Sequence, residues 1–97
     1  MATYIALSNF TDQGIRNVRD STKRADAVKE AAKKFGANMT QIYWTLGHYD
    51  VVAIIEAPDD TSATAFALAI GAAGNVRTQT LRAFSKDEMN GILGKMA

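Results

Sequence analysis

The apolar positions along this chain alternate between the two-residue period of a β-strand and the 3.6-residue period of an α-helix. Helical patterns cover 21–35 and about 60–74, and a shorter one with two glycines follows at 86–96. TDQG at 11–14 predicts a turn. Strand patterns fill the remaining segments, at 3–10, 38–46, 49–57 and 75–84. The predicted element order is therefore βαββαβ followed by a C-terminal helix.

Residues that cap helices mark the ends of both long helices. The side chain of Asp20 or Ser21 can accept hydrogen bonds from unpaired N–H groups where the first helix begins. Gly36 suits the left-handed conformation that ends this helix. Asp59 and Asp60 place negative charge at the positive end of the second helix.

This order, with right-handed crossovers, favours a ferredoxin-like sandwich. We predict one α+β domain over residues 1–97. In it, an antiparallel four-stranded sheet carries two helices on one face, and the short helix follows. Such a sheet has a second face, which must meet water or another surface.

The third predicted strand, YDVVAIIEA at 49–57, is apolar on both parities, as is typical of a strand buried on both faces. A helix-free sheet face that is apolar predicts a homo-oligomer, a dimer or larger, or a ligand cavity. We expect that face to carry one parity of this strand with two tyrosines from its neighbours: Tyr49, Val51, Ala53 and Ile55, with Tyr4 and Tyr43.

Composition narrows the function classes. The chain has no cysteine, which excludes disulfides, iron–sulfur clusters and thiol catalysis. Its first ten residues, MATYIALSNF, lack the charged and apolar regions of a signal peptide. No apolar run approaches the ~20 residues that a membrane span needs. We therefore expect a cytoplasmic protein that does not bind membranes.

Motifs for common cofactors are missing from the sequence. The glycines match neither a phosphate-binding loop nor a dinucleotide fingerprint, and there is no G-x-S-x-G elbow. One histidine, without carboxylates at ligand spacing, predicts no metal site. The third strand lacks the basic and aromatic pattern that binds RNA, so we expect neither a cofactor nor a nucleic-acid partner.

The connection before the third strand holds the candidate catalytic groups. His48 is either a proton shuttle beside Asp50 or an exposed turn residue. Asp50 either accepts hydrogen bonds from turn amides and so fixes the hairpin, or acts as a general base among apolar neighbours. Gly47 supplies the positive φ that a tight hairpin requires.

Four further residues are candidates for ligand binding. Arg77 and Arg82 lie on opposite parities of the fourth strand, and an arginine amid threonines suits a carboxylate, a phosphate or an inter-subunit salt bridge. Tyr43 and Tyr49 are aromatic groups that could stack on a ligand or on a partner subunit.

Several of these segments together resemble the GYD-domain family of small bacterial and archaeal proteins. The segments are FTDQG (10–14), FGA (35–37), IYWTLGHYDVV (42–52), EAPDD (56–60) and GNVRTQTLRAFS (74–85). The resemblance implies a ferredoxin-like fold similar to the dimeric α/β-barrel proteins, in which two sheets pack face to face. It marks Gly47, Tyr49 and Asp50 as the motif. Some members of that wider group are small oxygenases or isomerases and others only bind ligands, so the resemblance implies no mechanism.

The leading functional hypothesis is a homo-oligomeric small-molecule-binding or regulatory domain, with its pocket near the helix-free sheet face. The alternative is a cofactor-independent enzyme acting on a small organic molecule. In that case Asp50, helped by His48, would be the acid or base, and Tyr49 with Arg77 or Arg82 would orient the substrate. A second alternative is a purely structural interaction domain.

Overall fold

The computed structural model describes residues 1–96 of the chain. The strands are β1 (Ala2–Phe10), β2 (Asn38–Trp44), β3 (Val51–Ala57) and β4 (Val76–Ala83). The helices are α1 (Asp12–Arg16), α2 (Ser21–Ala32), α3 (Asp60–Ala72) and α4 (Lys86–Gly94). This order confirms the prediction, with α1 as an addition. No helix within the described residues is both long and apolar enough to cross a membrane.

The four strands form one antiparallel sheet in the order β2-β3-β1-β4. β1 is therefore flanked on both sides, whereas β2 and β4 are the edges. α2 and α3 both pack on one face of this sheet, since side chains from both helices lie against the same parity of β1 and β3. The predicted ferredoxin-like sandwich is confirmed.

Helix boundaries follow from the capping residues. The Asp59 side chain accepts a hydrogen bond from the Ser62 N–H at 2.8 Å and so begins α3. This bond also holds the pKa of Asp59 below its usual value, because it stabilises the carboxylate. Gly36, at a φ of 69°, ends the 3-10 turn that follows α2. Both ends agree with the sequence prediction. The predicted cap at the start of α2 is wrong, because the Asp20 side chain makes no capping bond and the Ser21 hydroxyl donates to the Val18 carbonyl.

Strand pairing corrects the predicted assignment of sheet faces. Tyr4, Ala6 and Ser8 pair across to the odd-numbered residues of β3, and these side chains face the helices. The prediction that Tyr4 lies on the helix-free face, with Val51, Ala53 and Ile55, is wrong. Both parities of β3 are apolar, so its pattern carried no information about which one the helices cover.

The face without helices, called the open face below, is apolar at its centre. Neighbouring strands place side chains on it in register, since Leu7 pairs with Val52 and Ile5 pairs with Ile54. Tyr43 of β2 and Leu81 of β4 flank these pairs, and 55% and 41% of their surfaces are exposed. Tyr43 thus lies on the face where the sequence predicted it.

The core between the sheet and the helices is rich in alanine. Phe66 of α3 is buried in this core, and its ring centroid lies 5.8 Å from that of Phe35. Tyr4 and Met39 are the other large buried side chains, whereas alanines occupy most remaining buried positions. A core built this way fills less volume per residue than one of leucine and isoleucine.

Helix α1 replaces the predicted turn because its residues contact the start of β4. Thr11 caps α1 by accepting from the Gly14 N–H at 3.1 Å, and its own N–H donates to the Asn75 carbonyl at 3.0 Å. The Thr11 hydroxyl also donates to the Gly74 carbonyl at 2.5 Å. Only a glycine at position 14 permits this approach, since a Cβ there would lie 2.0 Å from the Asn75 carbonyl oxygen.

Helix α4 begins in a complete capping box formed by Ser85 and Glu88. Its apolar side chains remain largely exposed, and the chain extends over 52 × 31 × 18 Å. The radius of gyration is 14.5 Å, against about 12.5 Å for a compact chain of this length. The α4 stripe is defined by Met89, Ile92 and Leu93 of the helix together with Met96, which follows its C-terminal cap.

Replacing Gly14 with alanine should destabilise the protein by about 2 kcal/mol, because the new Cβ overlaps backbone that cannot move independently. Gly71→Ala is the matched control. A Cβ there meets nothing within 4 Å, and alanine favours helix, so we expect an unchanged or raised stability. Urea unfolding measures both values. Equal stabilities of Gly14→Ala and the wild-type protein would contradict the role of the α1 contact.

Candidate functional site

The β2–β3 connection is closed by hydrogen bonds at its base. The Thr45 N–H donates to the Asp50 carbonyl at 2.8 Å, and the Thr45 hydroxyl donates to the Tyr49 carbonyl at 2.5 Å. Gly47, at the tip, has a φ of 123°. This value lies in the region that favours glycine, so the predicted conformational role of Gly47 is confirmed.

Asp50 is bonded to β1 rather than to turn amides. Its Oδ2 accepts from the Phe10 N–H at 2.9 Å, and its own N–H donates to the Ser8 carbonyl at 2.9 Å. β3 provides no backbone acceptor for the Phe10 N–H at the end of β1, and the Asp50 carboxylate takes that place. Asp50 fixes the connection, as one of the two sequence hypotheses held, but it does so by bonding to the neighbouring strand.

His48 lies exposed on the connection. Within residues 1–96 no hydrogen bond links it to Asp50, and neither residue lines the cavity or the groove described below. The described residues contain no group of three or more potential metal ligands. His48 and Asp50, the two candidate catalytic groups, therefore do not face a common pocket.

Tyr49 crosses the open face. Its hydroxyl donates to the Gln79 Oε1 at 3.0 Å, although Gln79 belongs to β4, on the far side of β1. Tyr43 lies on this face as well, and so does Arg77, whose register partner on β1 is Asn9. Three of the four predicted ligand-binding residues thus share one exposed surface.

Arg82 lies apart from them, on the helix side of β4. Its guanidinium carbon is 5.7 Å from the centre of the Tyr4 ring and 4.5 Å from that of Phe84, and its Nη2 lies 3.3 Å from the Glu88 carboxylate. The Ser85 N–H, and then Arg82, hold the pKa of Glu88 below its usual value. Arg82 therefore joins the start of α4 to the sheet.

Tyr4 and Asp60 form a hydrogen bond of 2.5 Å beside Arg82. Because the carboxylate accepts a hydrogen bond from the protonated phenol, this bond raises the pKa of Tyr4. These groups border a shallow groove between α3 and β4, together with Thr64, Leu68 and Thr80. The sequence offered no signal for this cluster, because its members are far apart along the chain.

A cavity of about 140 Å³, called the inner cavity below, lies between the sheet and the helices α2 and α3. The leading hypothesis placed a pocket near the open face, and the inner cavity corrects that location because it lies on the opposite side of the sheet. A sequence signal existed in the small residues Ala6, Ser8 and Ala53. Their significance depends on the strand register, which no periodicity reveals.

Comparison with known proteins agrees with this geometry. A family model described as "GYD domain" matches residues 4–93. A relative from Thermus thermophilus, named "Glutamine synthetase and cystathionine beta-lyase binding protein", is 34% identical over 84 residues, which cover 86% of this chain and 88% of the relative. The crystal structure of TTHA0845, also from Thermus thermophilus, superimposes with a TM-score of 0.57 at 25% identity, covering 88% of this chain and 95% of the other.

Replacing Asp50 with alanine should lower the free energy of unfolding by about 1 kcal/mol, since the Phe10 N–H loses its acceptor. Asp50→Asn keeps an oxygen at this place and should lose less. His48→Ala is the control with an exposed side chain and should leave stability unchanged. Thermal and urea unfolding report all three. An Asp50→Ala protein as stable as wild type would show that the bond to β1 contributes nothing.

Proposed function

This chain belongs to the GYD-domain family, and from that premise we propose that it is a homo-oligomeric interaction domain with a regulatory role. The open face carries the proposal. No element within residues 1–96 covers its apolar centre, although the opposite face is covered by two helices. We propose a cytoplasmic site of action, which suits a chain without cysteine.

Self-association through the open face follows from its composition. Ile5, Leu7, Val52 and Ile54 form an apolar centre, and Gln79 and Arg77 lie toward the β4 edge. An apolar centre with a polar rim is the usual arrangement of a protein interface. Two copies related by a two-fold axis can stack their sheets about 10 Å apart and bury this centre on both.

A second protein partner is supported by a different surface. The α4 stripe places three apolar side chains at helical spacing on α4, and Met96 follows the end of the helix. Of the Leu93 surface 48% is exposed, and of the Met96 surface 79%. An amphipathic helix of this kind binds in an apolar groove of a partner. The Thermus relative is named for binding two metabolic enzymes, so we propose an enzyme such as glutamine synthetase as the partner.

The catalytic alternative receives less support from the geometry. It requires His48 and Asp50 to face one pocket. Tyr49 and either Arg77 or Arg82 must lie beside them to orient the substrate. Asp50 instead accepts from the Phe10 N–H, and Arg82 lies on the other face of the sheet with Glu88 as its ion-pair partner. The interaction hypothesis is therefore the one that the contacts favour.

Replacing Leu81 with lysine should weaken self-association by at least tenfold, because the change places a charge in the proposed interface. Leu68→Lys is the matched control, since Leu68 is exposed on α3, on the other side of the sheet. Sedimentation velocity over a concentration series gives the dissociation constants. A monomeric wild-type protein, or equal constants for the two variants, would contradict self-association through the open face.

Purified glutamine synthetase from the source organism should bind this protein, and Leu93→Gln should weaken the complex by at least tenfold. Asn90→Gln is the matched control, because it places the same residue on α4 outside the stripe. Binding can be measured by biolayer interferometry with the protein immobilised. Absence of binding by the wild-type protein would exclude this enzyme as partner, and equal binding by both variants would exclude the α4 stripe as the contact surface.

A further inference from the structure

The inner cavity exists because small side chains face one another across the two layers. Ala6, Ser8 and Ala53 occupy the sheet side, and Ala25 and Ala67 lie on the helix side. None of them reaches far enough to fill the space between. A volume of about 140 Å³ is close to that of a cavity of about 150 Å³ known to admit benzene in another protein.

The walls of the cavity are mainly hydrocarbon. Val28 of α2, Met39 and Ile42 of β2, and Phe66 and Ile70 of α3 all line it. Water is held poorly by such surfaces, since a bound water needs two or more polar partners. The body of a fitting ligand is therefore apolar, and its size is that of a single ring or a short branched chain.

One end of the cavity is polar. The hydroxyl oxygens of Ser8 and Thr78 lie 2.9 Å apart, and Ser8 is only 7% exposed. Two hydroxyls offer two hydrogens, and their mutual bond uses one. Within the described residues the remaining hydrogen has no acceptor, and both side chains line the cavity. This donor is available to an oxygen atom of a bound molecule.

A positive charge accompanies this donor. Arg24 also lines the cavity, and its guanidinium is held by hydrogen bonds to the Asn17 carbonyl at 2.6 Å and the Gly14 carbonyl at 3.3 Å. Gly14 packs on Asn75, which precedes β4 and lies three residues before Thr78. Arg24 thus adds a positive charge to the cavity lining, and this charge favours an anionic oxygen on a bound molecule.

Access to the cavity lies along β4. Thr78 and Thr80 point to the helix side, yet both are exposed, so the helices do not close over this strand. The groove beside α3 shares Thr80, Ala63 and Ala67 with the cavity lining and thus continues into it. A small molecule can enter here without unfolding of the sheet.

We propose that the inner cavity binds a small carboxylate with an apolar body, either aromatic or branched aliphatic. Its body lies among the side chains of β2, α2 and α3, and its carboxylate accepts from the Ser8–Thr78 hydroxyl pair. The positive charge that Arg24 adds to the same lining favours the anionic form. This inference goes beyond the interaction role, because it assigns a ligand site on the side of the sheet opposite the open face.

Titration calorimetry with benzoate and 3-methylbutanoate, each against its neutral primary amide, tests the ligand class. We expect each acid to bind at least tenfold more tightly than its amide. ¹⁵N-detected NMR shifts should map to residues of the cavity lining. Failure of both acids to bind at millimolar concentration, equal binding of acid and amide, or shifts confined to the open face would overturn the proposal.

Two variants test the site. Thr78→Val keeps the shape of the side chain and removes a hydroxyl, so we expect at least a tenfold loss of benzoate affinity, with Thr3→Val on the open face as the control. Ala67→Leu fills the cavity and should abolish binding. Melting temperatures verify that each variant folds. If Ala67→Leu does not fold, the benzoate affinity of Thr78→Val alone tests the ligand site. Unchanged affinity in Thr78→Val would overturn the assigned polar end.

The same samples separate this inference from the proposed function. Sedimentation velocity reports self-association, which depends on the open face, whereas calorimetry reports the cavity. Loss of benzoate binding in Thr78→Val with an unchanged oligomeric state supports the ligand site independently.

Discussion

A four-stranded sheet has two faces, and the two long helices of this chain cover only one of them. The covered face must be filled from both layers, whereas the open face retains apolar residues that only a second surface can bury. β1 contributes to both sides, because Leu7 points outward and Ser8 points inward. The proposed assembly and the proposed ligand site therefore occupy opposite sides of one central strand and can be altered separately.

Gly47, Tyr49 and Asp50, which the sequence resemblance marks as a motif, have structural roles in this sheet. Gly47 allows the chain to reverse, Asp50 bonds to the last amide of β1, and Tyr49 reaches over the sheet to Gln79 of β4. Two of these residues, Asp50 and Tyr49, thus join the β2–β3 connection to β1 and β4. Each has a physical role in fixing one end of the sheet, and Tyr49 in addition lies within the surface proposed for self-association.

Local chemistry made part of the fold predictable. Asp59 and Gly36 mark helix ends because capping depends on residues adjacent in sequence. The face of β3 was not predictable, because Val51, Val52, Ala53 and Ile54 are alike in hydrophobicity, and only pairing with β1 decides which of them the helices cover. The helix at TDQG escaped prediction for a related reason, since its glycine is required by contact with Asn75, far along the chain.

In the candidate sites too, features set by neighbouring residues were predictable and features set by distant contacts were not. Tyr43 was placed on the correct face, and the role of Gly47 follows from turn chemistry that the sequence displays. Asp50 was expected to bond to turn amides, but its partner is the Phe10 N–H of β1, which the sequence could not indicate. The inner cavity depends on small residues from four elements meeting in three dimensions, and the Tyr4–Asp60–Arg82 cluster joins β1, α3 and β4. Neither has a pattern along the chain, so both became visible only when the register was known.

The central place of β1 also has a consequence for synthesis on the ribosome. Ser8 bonds to Thr78, 70 residues later, so at roughly 5–20 residues per second β1 waits about 4–14 seconds for its β4 partner to be made. Its other edge waits for β3, and contacts this distant also slow folding itself. During that interval the first strand to leave the ribosome has free backbone edges and an apolar Ile5–Leu7 row, which leaves it open to pairing with a neighbouring nascent chain.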